Sequence, residues 1–222
     1  SQINLNNNLK IKIMSIGLLK SRRLLRKNIK SLTKVFMIHG AYGHPKENWF
    51  PWLKERLEKK GVKVYIPKFP TPKGQTLKNW LKVFEKYWKI IDGETIMVGH
   101  SLGPAFILNV LERLGRGRKI KAAFLVAPFV GLLEIPEFDR INKTFTEKRF
   151  NWRKIKNKCK KFYVYSSDND PYVPLEKGKF LAKKLNAEFK IIRGAGHFNK
   201  AAGYTKFEIL LKDLEKLLKG RV

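Results

Sequence analysis

With 222 residues, 43% hydrophobic and 30% charged, the chain reads as a soluble globular protein that can bury one full core and is too short for two ordinary domains. Its single cysteine, Cys159, excludes an intramolecular disulfide and agrees with a reducing, cytoplasmic setting, and no apolar run is long enough to span a bilayer. The four histidines, His39, His44, His100 and His197, never fall at the i, i+4 spacing of a zinc helix, so no catalytic metal is expected.

The formal charge of +30 comes from 48 Lys and Arg against 18 Asp and Glu. Such an excess attracts polyanions, whether nucleic acid or an anionic membrane surface, with a strength that fades as salt is added. The positive residues are spread through nearly every helical segment, and the abundance of Ile, Asn and Lys is also what biased coding produces. The expectation is a nonspecific electrostatic attraction, not a focused nucleic-acid site.

Residues 1 to 33 differ from the rest: they carry eight Lys or Arg and no acidic residue, and the first carboxylate of the chain is Glu47. This segment is expected to be a basic, flexible N-terminal arm, with a short amphipathic helix near 16 to 29. Ser21-Arg22-Arg23-Leu24-Leu25-Arg26-Lys27 resembles a twin-arginine export signal, but polar Lys27, Asn28, Lys30 and Ser31 stand where the apolar region should follow. An Arg-rich, acid-poor presequence is a second reading, and Met14 offers an internal start.

From Lys34 to residue 222, short apolar runs alternate with longer amphipathic ones, the pattern of βαβ units around a parallel sheet. Strands are predicted at Val35–His39, Val62–Ile66, Thr95–Gly99, Ile120–Ala127, Phe162–Ser166 and Glu188–Ile192, and helices near 47 to 60, 76 to 91, 102 to 114, 174 to 185 and after 204. Right-handed crossovers then give a six-stranded, doubly wound α/β domain with helices on both faces. The stretch from Pro128 to Asn157 is too short for a large lid.

The third predicted strand, Thr95-Ile96-Met97-Val98, runs into Gly99-His100-Ser101-Leu102-Gly103, and a helical pattern beginning near Pro104 runs out of it. That is the setting of a nucleophile elbow. A serine on a tight strand-to-helix turn adopts a strained backbone, and glycines two residues before and after let strand and helix pass closely. Pro104 suits the first helical turn, where an N–H has no intrahelical partner.

A serine hydroxyl needs a general base, and the base needs a carboxylate to fix its tautomer. Past the fifth predicted strand comes Asp168-Asn169-Asp170-Pro171-Tyr172-Val173-Pro174, and past the sixth comes Gly194-Ala195-Gly196-His197-Phe198. The order Ser, Asp, His and the placement at strand carboxyl ends match a hydrolase site. Asp170, stiffened by Pro171, is the preferred acid and Asp168 the alternative; turn formation by both and a plain loop role for His197 are the rival readings. The oxyanion hole is expected from the backbone N–H groups of Leu102 and Ala41. His39 reads as a loop-shaping residue, and His100 as packed beside the elbow.

His39-Gly40-Ala41-Tyr42-Gly43, Glu47-Asn48-Trp49-Phe50-Pro51-Trp52-Leu53, the elbow, Asp170-Pro171 and Gly196-His197-Phe198 together resemble the small serine hydrolases of the retinoblastoma-binding protein 9 and YdeN type, over roughly residues 34 to 218. The resemblance implies a compact α/β-hydrolase fold lacking the first two strands of the larger form. It also implies a triad of Ser101, Asp170 and His197 acting on a small acyl substrate without a cofactor. Substrate-binding side chains are expected at Tyr42, beside the oxyanion loop, at Phe129 and Trp152, near the two ends of the 128 to 157 segment, and at Phe198, next to His197. Leu132, Leu133, Phe138, Phe145 and Phe150 divide between a small cap and plain core. The implied activity is hydrolysis of short esters, with thioesters or amides as variants. The rival is a noncatalytic binding protein that uses its basic surface to hold an acidic partner or nucleic acid.

Overall fold

Strands covered on both faces by helices must be apolar along their whole length, and successive side chains must serve opposite faces. The computed structural model describes residues 32–219 and arranges six parallel strands in the order β2-β1-β3-β4-β5-β6. They are β1 (Lys34–Ile38), β2 (Lys63–Tyr65), β3 (Thr95–His100), β4 (Ala122–Val126), β5 (Phe162–Ser167) and β6 (Glu188–Ile192). β3 and β4 are buried at every position. Phe36, Ile38, Met97, Ala123, Leu125 and Val164 point to one face, and Val35, Met37, Ile96, Val98, Phe124 and Tyr165 to the other.

The helices are α1 (Phe50–Glu58), α2 (Leu77–Phe84), α3 (Leu102–Arg113), α4 (Pro136–Thr146), α5 (Trp152–Asn157), α6 (Leu175–Leu185) and α7 (Glu208–Lys219). Leu53 and Leu57 of α1 and Leu210 and Leu214 of α7 cover one face of the sheet, and apolar residues of α2 through α6 cover the other. This is the predicted doubly wound α/β sheet. All six strands lie within two residues of their expected bounds.

The helices depart further from expectation. The stretch 76 to 91 divides into α2, capped by the Thr76 hydroxyl accepting from the Asn79 N–H at 3.2 Å, and a 3₁₀ segment over Glu85–Ile90. The segment from Pro128 to Asn157 holds two helices that the sequence reading missed. Pro136 occupies the first turn of α4, where a missing N–H costs little, and the Asn151 side chain caps α5. α4 is tied down by Gln75 Nε2 donating to Asn142 Oδ1 at 2.8 Å and by the Leu77 N–H donating to Thr144 Oγ1 at 2.9 Å. Of the expected arm only Leu32 and Thr33 are described. Thr33 is buried and its carbonyl accepts from the Lys63 N–H, while the amphipathic helix and Met14 lie outside the described residues. Among the described residues no helix is long and apolar enough to cross a membrane.

Trp80 ties α2, α3 and α4 together. It is fully buried, stacks on Phe69 at 4.4 Å between centroids, meets Phe106 and Phe145 edge-on, and donates from Nε1 to the Pro70 carbonyl at 2.9 Å. Truncating it leaves a cavity and an unsatisfied carbonyl, so Trp80→Ala should lower unfolding free energy by about 3–5 kcal/mol. Leu132→Ala, at a side chain half exposed to solvent, should cost no more than about 0.5 kcal/mol. Urea unfolding of both variants checks the contrast, and equal effects would refute it.

Candidate active site

Ser101 sits between β3 and α3 with φ 60° and ψ −107°, a backbone region that a residue with a Cβ seldom enters. Its N–H donates to the Val126 carbonyl at 2.9 Å, which anchors the turn to β4. A Cβ at Gly99 would lie 2.6 Å from the Pro104 nitrogen, and one at Gly103 would overlap the Ile38 carbonyl oxygen. Both glycines are therefore fixed by the close passage of strand and helix. Across the gap, a Cβ on Gly40 would come within 2.9 Å of Ser101 Cβ and 3.3 Å of its Oγ. The bare Gly40 leaves room at the hydroxyl.

His197, at the carboxyl edge of the same sheet, approaches Asp170 with Nδ1 at 2.8 Å from Oδ2 and 3.1 Å from Oδ1. The Asp170 side chain is only 2% exposed. Its Oδ1 also accepts from the Tyr172 and Val173 N–H groups at 2.9 and 3.1 Å, so the carboxylate is held from both sides. Asp168, the alternative acid, does something else: its Oδ1 accepts from the Gly194 N–H at 2.8 Å. Asn169 Oδ1 likewise accepts from the Gly196 N–H at 2.8 Å. Three successive polar residues after β5 thus hold the loop after β6.

That loop is also held from inside. His100 Nε2 donates to the His197 carbonyl at 2.7 Å, and Trp49 Nε1 donates to the Phe198 carbonyl at 3.0 Å. Asn48 Oδ1 accepts from the Lys200 N–H at 2.8 Å. His100 is buried beside the elbow, its ring 4.9 Å from that of His197, and it holds the backbone of the imidazole loop in place. On the other side His39 bridges two loops, with Nδ1 donating to the Gly40 carbonyl at 2.8 Å and Nε2 accepting from the Phe69 N–H at 3.1 Å. Both rings are neutral: burial pushes His39 down to about 4 and His100 down to about 3.

A cavity of about 260 Å³ opens at this edge, and Ser101, His197 and Ala41 all line it. Leu102 is the first residue of α3, so its N–H has no intrahelical carbonyl to bond, while its side chain is wholly buried. Of the four expected substrate-binding side chains, Tyr42 and Phe129 line the cavity. The other two do not. Phe198 has φ 52° and turns its ring into the opposite core, stacked on Phe207 at 5.3 Å. Trp152 lines a separate depression with Phe150 and Phe180. Leu133 and Phe138 join the wall, whereas Phe145 is core and Leu132 is exposed.

Sequence reasoning missed Glu47, Asn142, Tyr172 and Asn199 as cavity residues. Only Glu47 had a local signal, as the first acid of the chain and just beyond the glycine turn. Burial pushes its carboxyl up to about 7, opposed by the His44 N–H. Burial also pushes the Cys159 thiol up to about 12, and Cys159 stands at the far edge of the sheet, bridged through its segment to Ile120. No thiolate serves this site.

The family described as Serine hydrolase matches residues 35–216. YdeN of Bacillus subtilis strain 168 is 33% identical over 177 residues, 80% of this chain and 92% of that protein. Its crystal structure superposes with a TM-score of 0.79, covering 84% of this chain and 99% of that one. The serine hydrolase RBBP9 of Rattus norvegicus is 26% identical over 191 residues, 85% of this chain and 97% of that protein. Est1E from Butyrivibrio proteoclasticus, 18% identical with a TM-score of 0.59, covers 87% of this chain and 91% of its own, and shares the fold.

The buried imidazoles make stability fall in acid. Each ordinarily titrates at 6.5, so near pH 5 to 6 the unfolded chain binds a proton at His39 and another at His100 that the folded chain refuses. Glu47, raised from 4.5, opposes this with one proton held only when folded. The net contribution of the three groups is one proton, so stability rises with pH by about 1.4 kcal/mol per unit there. His100→Asn should flatten the slope relative to the parent by about one proton. Urea unfolding at a series of pH values measures it, and parallel slopes would refute the assignment.

Proposed function

The chain belongs to the serine hydrolase family, and on that premise we propose that it cleaves small carboxylic esters through Ser101, His197 and Asp170. Thioesters and amides would follow the same route. The observation that carries the reading is a serine at φ 60° opening onto the same cavity as an imidazole whose Nδ1 lies 2.8 Å from a buried carboxylate. The name serine hydrolase borne by RBBP9 supports it.

With its Nδ1 proton engaged by Asp170, His197 keeps a lone pair on Nε2. Nε2 takes the Ser101 proton as Oγ attacks the substrate carbonyl, and the imidazolium that forms is stabilised by Asp170. The carbonyl oxygen becomes an oxyanion, met by the N–H groups of Leu102 and Ala41, the first of them at the positive end of α3. Collapse breaks the bond to the alcohol, which leaves with the proton from Nε2. Water then repeats the sequence on the acyl-enzyme and releases the acid.

A cavity of about 260 Å³ walled by Phe129, Leu133 and Phe138 favours short acyl chains. It falls below the roughly 300–1,000 Å³ usual for sites that take drug-sized ligands. The cytoplasmic location we assign rests on the single cysteine, a buried free thiol that suits a reducing compartment.

Hydrolysis of short p-nitrophenyl esters and labelling by a fluorophosphonate probe test the assignment. Ser101→Ala should abolish labelling and lower kcat/KM by roughly 10³-fold or more, and His197→Ala should do nearly the same. Asp170→Asn should cost about 10²- to 10⁴-fold, with Ser101 still present but poorly activated. Labelling at another residue, or turnover indifferent to Ser101→Ala, would refute it.

A further inference from the structure

We infer that the Ser101 cavity takes substrates bearing an ammonium group, held by the Glu47 carboxylate and by the aromatic walls of Phe138 and Tyr172. The inference rests on reading the cavity as the hydrolase site.

The chain carries 48 Lys and Arg, yet among the described residues none of either lines this cavity, whereas the acidic Glu47 does. The arrangement runs against the composition. The Glu47 carboxylate is tucked under the Gly40 to Gly43 turn, where a Cβ on Gly43 would overlap its Oε1. The influences on its charge are burial and the His44 N–H, with no cation among them. Of the cavity's two histidines, His100 is uncharged and His197 already faces a carboxylate of its own, Asp170.

The rest of the wall suits the same ligand. Tyr42 meets Phe138 edge-on at 6.1 Å, Phe138 meets Tyr172 at 5.7 Å, and Tyr172 meets His197 at 5.0 Å, so a continuous aromatic row runs from the mouth to the imidazole. Ring faces attract an ammonium, most strongly where water is excluded, and a carboxylate lining the same cavity adds the countercharge. At the mouth the Tyr42 hydroxyl is hydrogen-bonded to Glu137, and Arg140 acts on the same hydroxyl from nearby, so acid and base offset each other there. The overall charge of +30 does not overrule this arrangement, because exposed charges are screened beyond about 8 Å at physiological salt. A carboxylate inside the cavity acts at contact distance.

The test compares choline esters of short acids with their neutral isosteres, in which a carbon replaces the ammonium nitrogen, at pH 8. The readout is the ratio of the two kcat/KM values, which cancels any general effect on activity. The parent protein should favour the cationic ester by about threefold to tenfold, and Glu47→Gln should bring the ratio close to one. A ratio near or below one in the parent, or one unchanged by Glu47→Gln, overturns the inference. A second measurement needs neither turnover nor a variant: butyltrimethylammonium should slow fluorophosphonate labelling of Ser101 at concentrations where its neutral isostere does not. Labelling that both slow equally, or neither slows, overturns the ammonium site while leaving the hydrolase reading intact. A folded protein that is not labelled at all removes the hydrolase reading and this inference with it.

Discussion

Ser101 can hold φ 60° only because strand and helix pass on either side of it with no side chain between them, and much of the molecule is arranged around that passage. A residue in this region is strained by about 1–2 kcal/mol, so neighbouring structure has to over-determine it. The Ser101 N–H is bonded to β4, Gly103 lies against the end of β1, and every residue of α3 from Leu102 to Leu111 is buried. The helix that leaves the elbow is therefore buried on all sides over its first ten residues. A helix with a solvent face could shift outward to relieve the strain, and the hydroxyl would move with it.

The second half of the site has no regular structure to rely on, and buried polar side chains replace it. The loop carrying the proposed base, His197, must satisfy its backbone groups without a partner strand. Here Asp168 and Asn169 bind its N–H groups from one side, while His100 and Trp49 bind its carbonyls from the other. His100 belongs to β3 and stands next to Ser101 in the chain. One short segment therefore supplies both the hydroxyl and the donor that fixes the loop of the imidazole. This couples two parts of the site that are 97 positions apart in the chain.

The elbow and the strands could be read from the sequence because their signals are local: glycines flanking a serine, apolar runs of five or six residues, a proline at the right turn. The carboxyl-edge loops were legible in order but not in detail. Both Asp168 and Asp170 stand ahead of Pro171, and only the fold shows that one meets Gly194 and the other His197. Phe198 shows why neighbours in sequence mislead, since a left-handed backbone turns its ring to the far side of the sheet from the cavity side chains of Phe129 and Leu133. Trp152, expected in the pocket wall from its place near the end of the 128 to 157 segment, lines a separate depression, and Phe138 of helix α4 joins the cavity wall instead. The helix itself has apolar residues at helical spacing, Phe138, Ile141 and Phe145, but no capping side chain at Ile135 marks its start.

Charge is where composition and site diverge most, and the chemistry explains why the divergence matters. In the proposed ester cleavage, negative charge develops on an oxygen beside the Gly40 to Gly43 turn, and Glu47 lies under that same turn. An ionised carboxylate there, unopposed, would repel the oxyanion and slow the reaction. Two conditions relieve the repulsion: a proton on Glu47, which burial favours by raising it to about 7, or a cation bound next to it. A substrate that brings its own ammonium satisfies the second and frees the Leu102 and Ala41 amides to act on the oxyanion alone. On this reasoning Glu47 contributes to more than binding. It would make the stability of the transition state depend on what the substrate carries, with selection exercised in the chemical step as well as at the mouth.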